Sequence, residues 1–176
     1  GDKAVYLIDE GRAEMTGEDL KLKSPDQIVT AEDSFEYYTD DDKFIAIGNV
    51  IVEREDDTLK ADKTTVLFKT GENGDRELNR IEAEGNVEII TPEETLTGRT
   101  GNYDPQSEIA ELIGNVKIVR GPNVLTGNRA TVDLKTNISR VYGAPQSGER
   151  VKGIFFPQDS NDTDKKDKNI NAEPED

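Results

Sequence analysis

A chain of 176 residues can bury a real core, yet 32% hydrophobic and 34% charged residues place it near the composition of disordered chains, so only its patterning can establish a fold. A formal net charge of −16 excludes a binder that neutralises nucleic-acid phosphates and opposes adsorption to an anionic membrane surface. The absence of histidine and cysteine removes imidazole and thiolate metal sites, disulfides, and every Ser-His-Asp or Cys-His nucleophile.

Residues 1–23 give a mixed signal. Alternation at Val5 and Leu7, and again at Leu20 and Leu22, points to strands, whereas Ala13-Glu14-Met15 fits a helix as well. Residues 27–38 read as a partial copy of a unit that then appears in full three times. Its hallmark is Gly-Asn-Val, at Gly48-Asn49-Val50, Gly85-Asn86-Val87 and Gly114-Asn115-Val116. The copies align without gaps. Eleven positions after each glycine stands Leu59, Leu96 or Leu125; two further on, Ala61, Gly98 or Gly127; eighteen after the glycine, Val66, Tyr103 or Val132.

Each copy predicts strand, turn, strand. Apolar residues recur at every second position around the glycine: Phe44, Ala46, Val50 and Val52, then Ile81, Ala83, Val87 and Ile89, then Ala110, Leu112, Val116 and Ile118. Period two is the signature of a strand with one buried face. The alternate positions of the second copy, Glu82, Glu84 and Glu88, are solvent residues. In the first copy Ile45, Ile47 and Ile51 make the second face apolar too, which predicts a cover from the N-terminal segment or a partner. Turns are expected at Arg54-Glu55-Asp56-Asp57, Thr91-Pro92-Glu93-Glu94 and Arg120-Gly121-Pro122-Asn123, with a further connection at Thr70-Gly71-Glu72-Asn73-Gly74. Glycine in mid-strand predicts a bulge or sharp bend. Residues 159–176 hold seven acids, three lysines and one isoleucine, which predicts a polar, disordered tail. Many short strands at regular spacing with almost no helical period give an all-β chain: a sandwich, barrel, roll or solenoid.

No constellation for catalysis emerges. Neither a phosphate-binding GxxxxGK[ST] loop nor a strand-to-helix GxGxxG is present. Asp40-Asp41-Asp42 and Glu55-Asp56-Asp57 lack the spaced ligands of a calcium loop and read as solvated turns. The expectation is therefore a non-enzyme with no cofactor, no metal site and no catalytic residue. No apolar run approaches the ~20 residues that span a bilayer. What is left to carry function is the apolar face, either as closed core or as a groove for a ligand.

The Gly-Asn-Val strands, the runs Thr95-Leu96-Thr97-Gly98-Arg99 and Leu125-Thr126-Gly127-Asn128-Arg129-Ala130, and Ile28 to Asp33 upstream of the first copy resemble the OstA-like (LptA) family of periplasmic lipopolysaccharide-transport proteins. Gly148-Glu149-Arg150-Val151 through Ile154-Phe155-Phe156-Pro157-Gln158 looks like that family's last strand and the start of its polar tail. The resemblance sets an OstA-like domain at residues 24–158, after an N-terminal extension of uncertain structure at 1–23 and before the tail at 159–176. It implies an antiparallel β-jellyroll, an open, twisted, V-shaped roll with the lipid A acyl chains of lipopolysaccharide inside. It also implies an exported, periplasmic protein with its signal peptide removed. Such proteins stack head to tail as homo-oligomers and bridge an inner-membrane LptC-like protein to an outer-membrane LptD-like translocon. The family's lipid-contacting positions fall on Ile28 and Thr30, near Ile89 or Ile90, and on Tyr103 and Pro105. Inward alternation adds Phe44, Ala46, Val50, Val52, Leu59, Ile81, Ala83, Val87, Leu112, Val116, Ile118, Leu125 and Val132. Two alternatives stay open: a same-fold domain of a partner (LptC or the N-terminal domain of the translocon), and a structural or adhesive β-solenoid.

Overall fold

The structure, a computed structural model, describes residues 1–155 save 26, 137, 145–147 and 149. The expected polar tail at 159–176, and Phe156-Pro157-Gln158 with Glu149 from the resemblance, lie outside the described residues. In chain order the strands are β1 (Lys3–Leu7), β2 (Arg12–Thr16), β3 (Leu20–Lys23), β4 (Ile28–Ala31), β5 (Ser34–Tyr38), β6 (Lys43–Arg54), β7 (Asp57–Thr70), β8 (Arg76–Ile90), β9 (Thr95–Asp104), β10 (Ile109–Arg120), β11 (Asn123–Asp133), β12 (Ile138–Tyr142) and β13 (Lys152–Ile154). A single 3-10 turn, Ile8–Glu10, is the one helical element among the described residues. All strand pairs are antiparallel.

The Gly-Asn-Val repeat is a repeated β-bulge. On β6, Ile47 pairs with Lys63 and Val50 with Ala61, so Gly48 and Asn49 together oppose Asp62. On β8, Gly85 and Asn86 oppose Arg99 in the same way, and on β10, Gly114 and Asn115 oppose Asn128. All six residues have positive φ: 87° and 41°, 76° and 47°, 81° and 53°. Glycine enters that region without a steric cost and asparagine at a small one, so the dipeptide suits two successive left-handed residues. Two of the asparagine side chains then brace the bend: Asn49 Nδ2 donates to Glu32 Oε2 (2.6 Å) in the turn between β4 and β5, and Asn86 Nδ2 to both oxygens of Asp62 on β7 (3.1 and 3.0 Å). Inside each bend the valine faces a small residue, Val50 on Ala61, Val87 on Gly98 and Val116 on Gly127, which leaves room for the fold to close.

The bulges crease the sheet into two arms. At Gly48 it forks: Lys43 to Ile47 pair with β5, whereas residues 51–53 pair with β4. At the far end β11 pairs with β12 through residues 129–133 and with β13 through 124–126. One arm thus starts at β1, β2 and β5 and ends at β12; the other starts at β3 and β4 and ends at β13. This is the open, creased antiparallel β-jellyroll.

Residues 1–23 belong to the same sheet. β2 and β3 are the two halves of one more bent strand, around Gly17 (φ 141°) and Asp19 (φ 54°); β2 pairs with β5 and β3 with β4. Ala13-Glu14-Met15 is therefore strand rather than helix. The cover expected over Ile45, Ile47 and Ile51 is not supplied by this segment, which lengthens the sheet at its edge. These three stay half-buried on the outer face, opposite Glu36, Ser34 and Thr30.

Candidate functional site

The inner face of the creased sheet is a set of cross-strand rows. In the first arm one row runs Phe44, Val66, Ile81, Tyr103, Ala110, Val132, Ser139, and the next runs Ala46, Thr64, Ala83, Gly101, Leu112, Ala130, Val141. In the second arm a row runs Val29, Val52, Leu59, Ile89, Leu96, Ile118, Leu125. Alternation places the neighbouring positions on the outer face, which is charged: Lys60 pairs with Glu88 (2.9 Å) and Lys63 with Glu84 (3.0 Å). On β7 and β8 the two faces thus differ sharply in chemistry, whereas the outer face of β6 keeps Ile45, Ile47 and Ile51.

The apolar residues form two packed clusters, which meet where β6 runs beside β7. One, around β4 to β6, holds the predicted Phe44, Ala46, Val50 and Val52 with Leu20, Val29, Ala31 and Phe35. The other holds the predicted Leu59, Ala83, Val87, Ile89, Tyr103, Leu112, Val116, Ile118, Leu125 and Val132. Ile81 lines a cleft of ≈ 40 Å³ with Leu59, Ala83, Val87, Ile89 and Tyr103. The structure therefore brings fifteen of the seventeen predicted positions to one face. The exceptions are Ile28 and Thr30. Val29 pairs with Val52 on the inner side, which turns Ile28 towards Glu53 and Thr30 towards Ile51 on the outer face. The reason is parity: a strand's facing is set by its partner's register, and a one-residue step inverts it. Pro105 falls in the turn after β9, off the paired rows.

Alternation placed Ala110 on this face, as the structure does, but missed Leu96 and Ala130. The gap-free repeat carried the signal for Leu96, which stands where the other copies have Leu59 and Leu125. Two polar features of the interior carried none. Thr64 Oγ1 is buried with no hydrogen-bond partner among the described residues. Glu94, also buried, accepts from Arg120 and Ser139. On the outside, Asp104 and Asp133 sit at turns and accept backbone N–H groups. Those of Gln106 and Thr136 are the first cause that holds their carboxyls below the ordinary range. Among the described residues no group of three or more acidic side chains is placed to hold a metal ion. No described helix is long and apolar enough to cross a membrane.

Residues 27–138 match the family model described as LptA/(LptD N-terminal domain) LPS transport protein. The fold is similar to the crystal structure of LptH, the LptA homologous periplasmic component of the lipopolysaccharide transport device from Pseudomonas aeruginosa. The TM-score is 0.60 at 21% identity, over 74% of this chain and 95% of that one. No curated protein matches the sequence.

Proposed function

Because this chain belongs to the LPS transport protein family of LptA and the LptD N-terminal domain, we propose that it carries lipopolysaccharide through the periplasm with the lipid A acyl chains on the inner face of the roll. The observation that supports this reading is the second-arm row from Val29 to Leu125, seven aliphatic side chains on seven successive strands with no polar interruption. Such a track suits sliding cargo. It gains about 0.8 kcal/mol for each methylene buried, without a directional contact that would pin the lipid. No reacting group is needed, which fits a family of transport components.

A photo-crosslinking residue at Ile89 or Tyr103 should capture lipopolysaccharide in cells, and one at Glu82 or Ile28, on the outer face, should not. Capture only at the outer pair would sink the inner-face assignment.

In the same reading, copies stack head to tail between an LptC-like protein at the inner membrane and an LptD-like translocon at the outer membrane. The support lies at the two ends of the sheet. Among the described residues β1, β3, β12 and β13 each pair on one side only. Most of the exposed large apolar residues gather there, among them Tyr6 (57% exposed), Met15 and Leu22 at one end and Tyr142, Ile154 (59%) and Phe155 (69%) at the other. Each end presents one edge per arm, so the end of one copy can continue both arms of the next. Here the leading edge is made by residues 1–23, outside the span matched by the family model. The expected result is a weight-average mass in light scattering that climbs with concentration and returns to the monomer value in Leu22→Asp or Ile154→Asp. A mass independent of concentration would favour the partner-domain alternative.

A further inference from the structure

The inner face is not open along its whole length. Glu94 stands in the turn between β8 and β9, at the tip of the second arm, and Ser139 lies on β12, the last strand of the first. Ser139 Oγ donates to Glu94 Oε1 over 3.2 Å. Arg120, at the end of β10, donates to the other oxygen through Nε (3.1 Å), with Nη2 2.9 Å from it. All three point inward: Glu94 is two residues from Leu96, Arg120 two from Ile118, and Ser139 pairs with Val132. Glu94 is 8% exposed, in keeping with a carboxylate that is desolvated and fully partnered. The Glu94–Ser139 bond therefore ties the tips of the two arms together across the interior.

The space beneath is small. The cleft on β7 to β10 has a volume of ≈ 40 Å³, far below the roughly 300–1,000 Å³ of pockets that hold drug-sized ligands. Cargo with several acyl chains needs the arms to part. Arg120 and Glu94 sit on the same arm, so parting leaves their ion pair intact and breaks the hydrogen bond to Ser139, together with apolar contacts of the cluster that both arms share.

We propose that Glu94, held by Arg120 and bonded to Ser139, is a latch that keeps the two arms together at the β12 end, and that lipid loading requires its release. The latch concerns the chain alone; its link to loading rests on the carrier reading above.

Two experiments separate these parts, and the lack of native cysteine makes both site-specific. Nitroxides on Glu93→Cys and Lys135→Cys, both exposed turn positions, report the separation of the tips by double electron–electron resonance. Adding Ser139→Ala should shift the population towards a longer distance by roughly tenfold, the effect of losing one hydrogen bond to a charged group. Unchanged distance distributions overturn the latch. In the second experiment, Glu94→Cys and Ser139→Cys are bridged by a reductant-cleavable bis-methanethiosulfonate. The bridged chain should take up lipid A at least about tenfold more slowly than the same chain after reduction. Equal uptake before and after overturns the link to loading. If no form takes up lipid A, the unmodified chain included, the carrier reading falls and takes that link with it, while the distance measurement still decides the latch.

Discussion

Gly85→Val should lower the unfolding free energy by about 3 kcal/mol, more than most single substitutions on this chain. Two costs combine. Gly85 has φ 76°, and a residue with a Cβ pays roughly 1–2 kcal/mol there, a β-branched one the most. The second cost is contact. A Cβ at this position would lie 2.1 Å from Asp62 Oδ2 and 2.9 Å from Asp62 Cβ. Turning the Asp62 carboxylate away relieves the first clash but not the second, so β7 itself must shift, an overpacking cost of about 1–3 kcal/mol. The same turn of Asp62 gives up both hydrogen bonds from Asn86. Gly74→Ala isolates the backbone share. Its φ is 81°, yet no atom lies within 4 Å of the added Cβ, so the loss there should stay near 1 kcal/mol. Urea titrations followed by circular dichroism give both values, with the midpoint moved and the slope unchanged. Equal losses at the two glycines would mean that the crease does not depend on close approach between β7 and β8.

This crease was the most legible part of the chain. Gly-Asn-Val at three places, with Ala61, Gly98 or Gly127 at a fixed offset, announces mid-strand bends because the cause is local: two left-handed residues and a small residue opposite. The inner face was legible for the same reason, since period-two alternation fixes which side chains share a side. What could not be read depends on partners far along the chain. The facing of Ile28 and Thr30 is decided by the register of β4 against Val52, and nothing in residues 27–38 encodes that register. Residues 1–23 show alternation, but their place beside β4 and β5 follows from pairing. Glu94 and Ser139 lie 45 residues apart, and in the sequence Glu94 is one more acid in a polar turn.

The bent strand also explains how one sheet can present apolar side chains on two facing walls and charged ones outside. Each of β6, β8 and β10 passes from one arm to the other through its bulge, and Phe44 and Ala46 before the bulge face inward together with Val50 and Val52 after it. A single alternating pattern thereby lines both walls, while the intervening acids and lysines line both outer surfaces. The outer surfaces thus carry charge such as Glu82, Glu84 and Glu88, and the like charge of a chain with a net −16 opposes non-specific self-association.

Leu20→Ala should cost about 3 kcal/mol, although Leu20 lies in the segment before the span matched by the family model. Leu20 is 0% exposed and packs in the cluster of Val29, Ala31, Phe35, Ala46 and Val50. Its strand pairs with β4 through Leu20 on Ala31 and Leu22 on Val29. Truncating a fully buried leucine removes its transfer energy and leaves a cavity, within a range of about 2–5 kcal/mol for buried sites. Leu22→Ala is the matched control: the same strand and substitution, but a side chain 48% exposed, so its loss should stay within about 0.5 kcal/mol. The pair decides what residues 1–23 are. As an appendage laid along a finished domain they would fray independently, and Leu20→Ala would leave the main urea transition where it is. As the first bent strand of one cooperative sheet, they carry part of the core, and the whole transition moves. The second outcome is expected because Leu20 closes the end of the interior that β4 and β5 would otherwise leave open, and the edge offered to a neighbouring molecule is then β1 and β3.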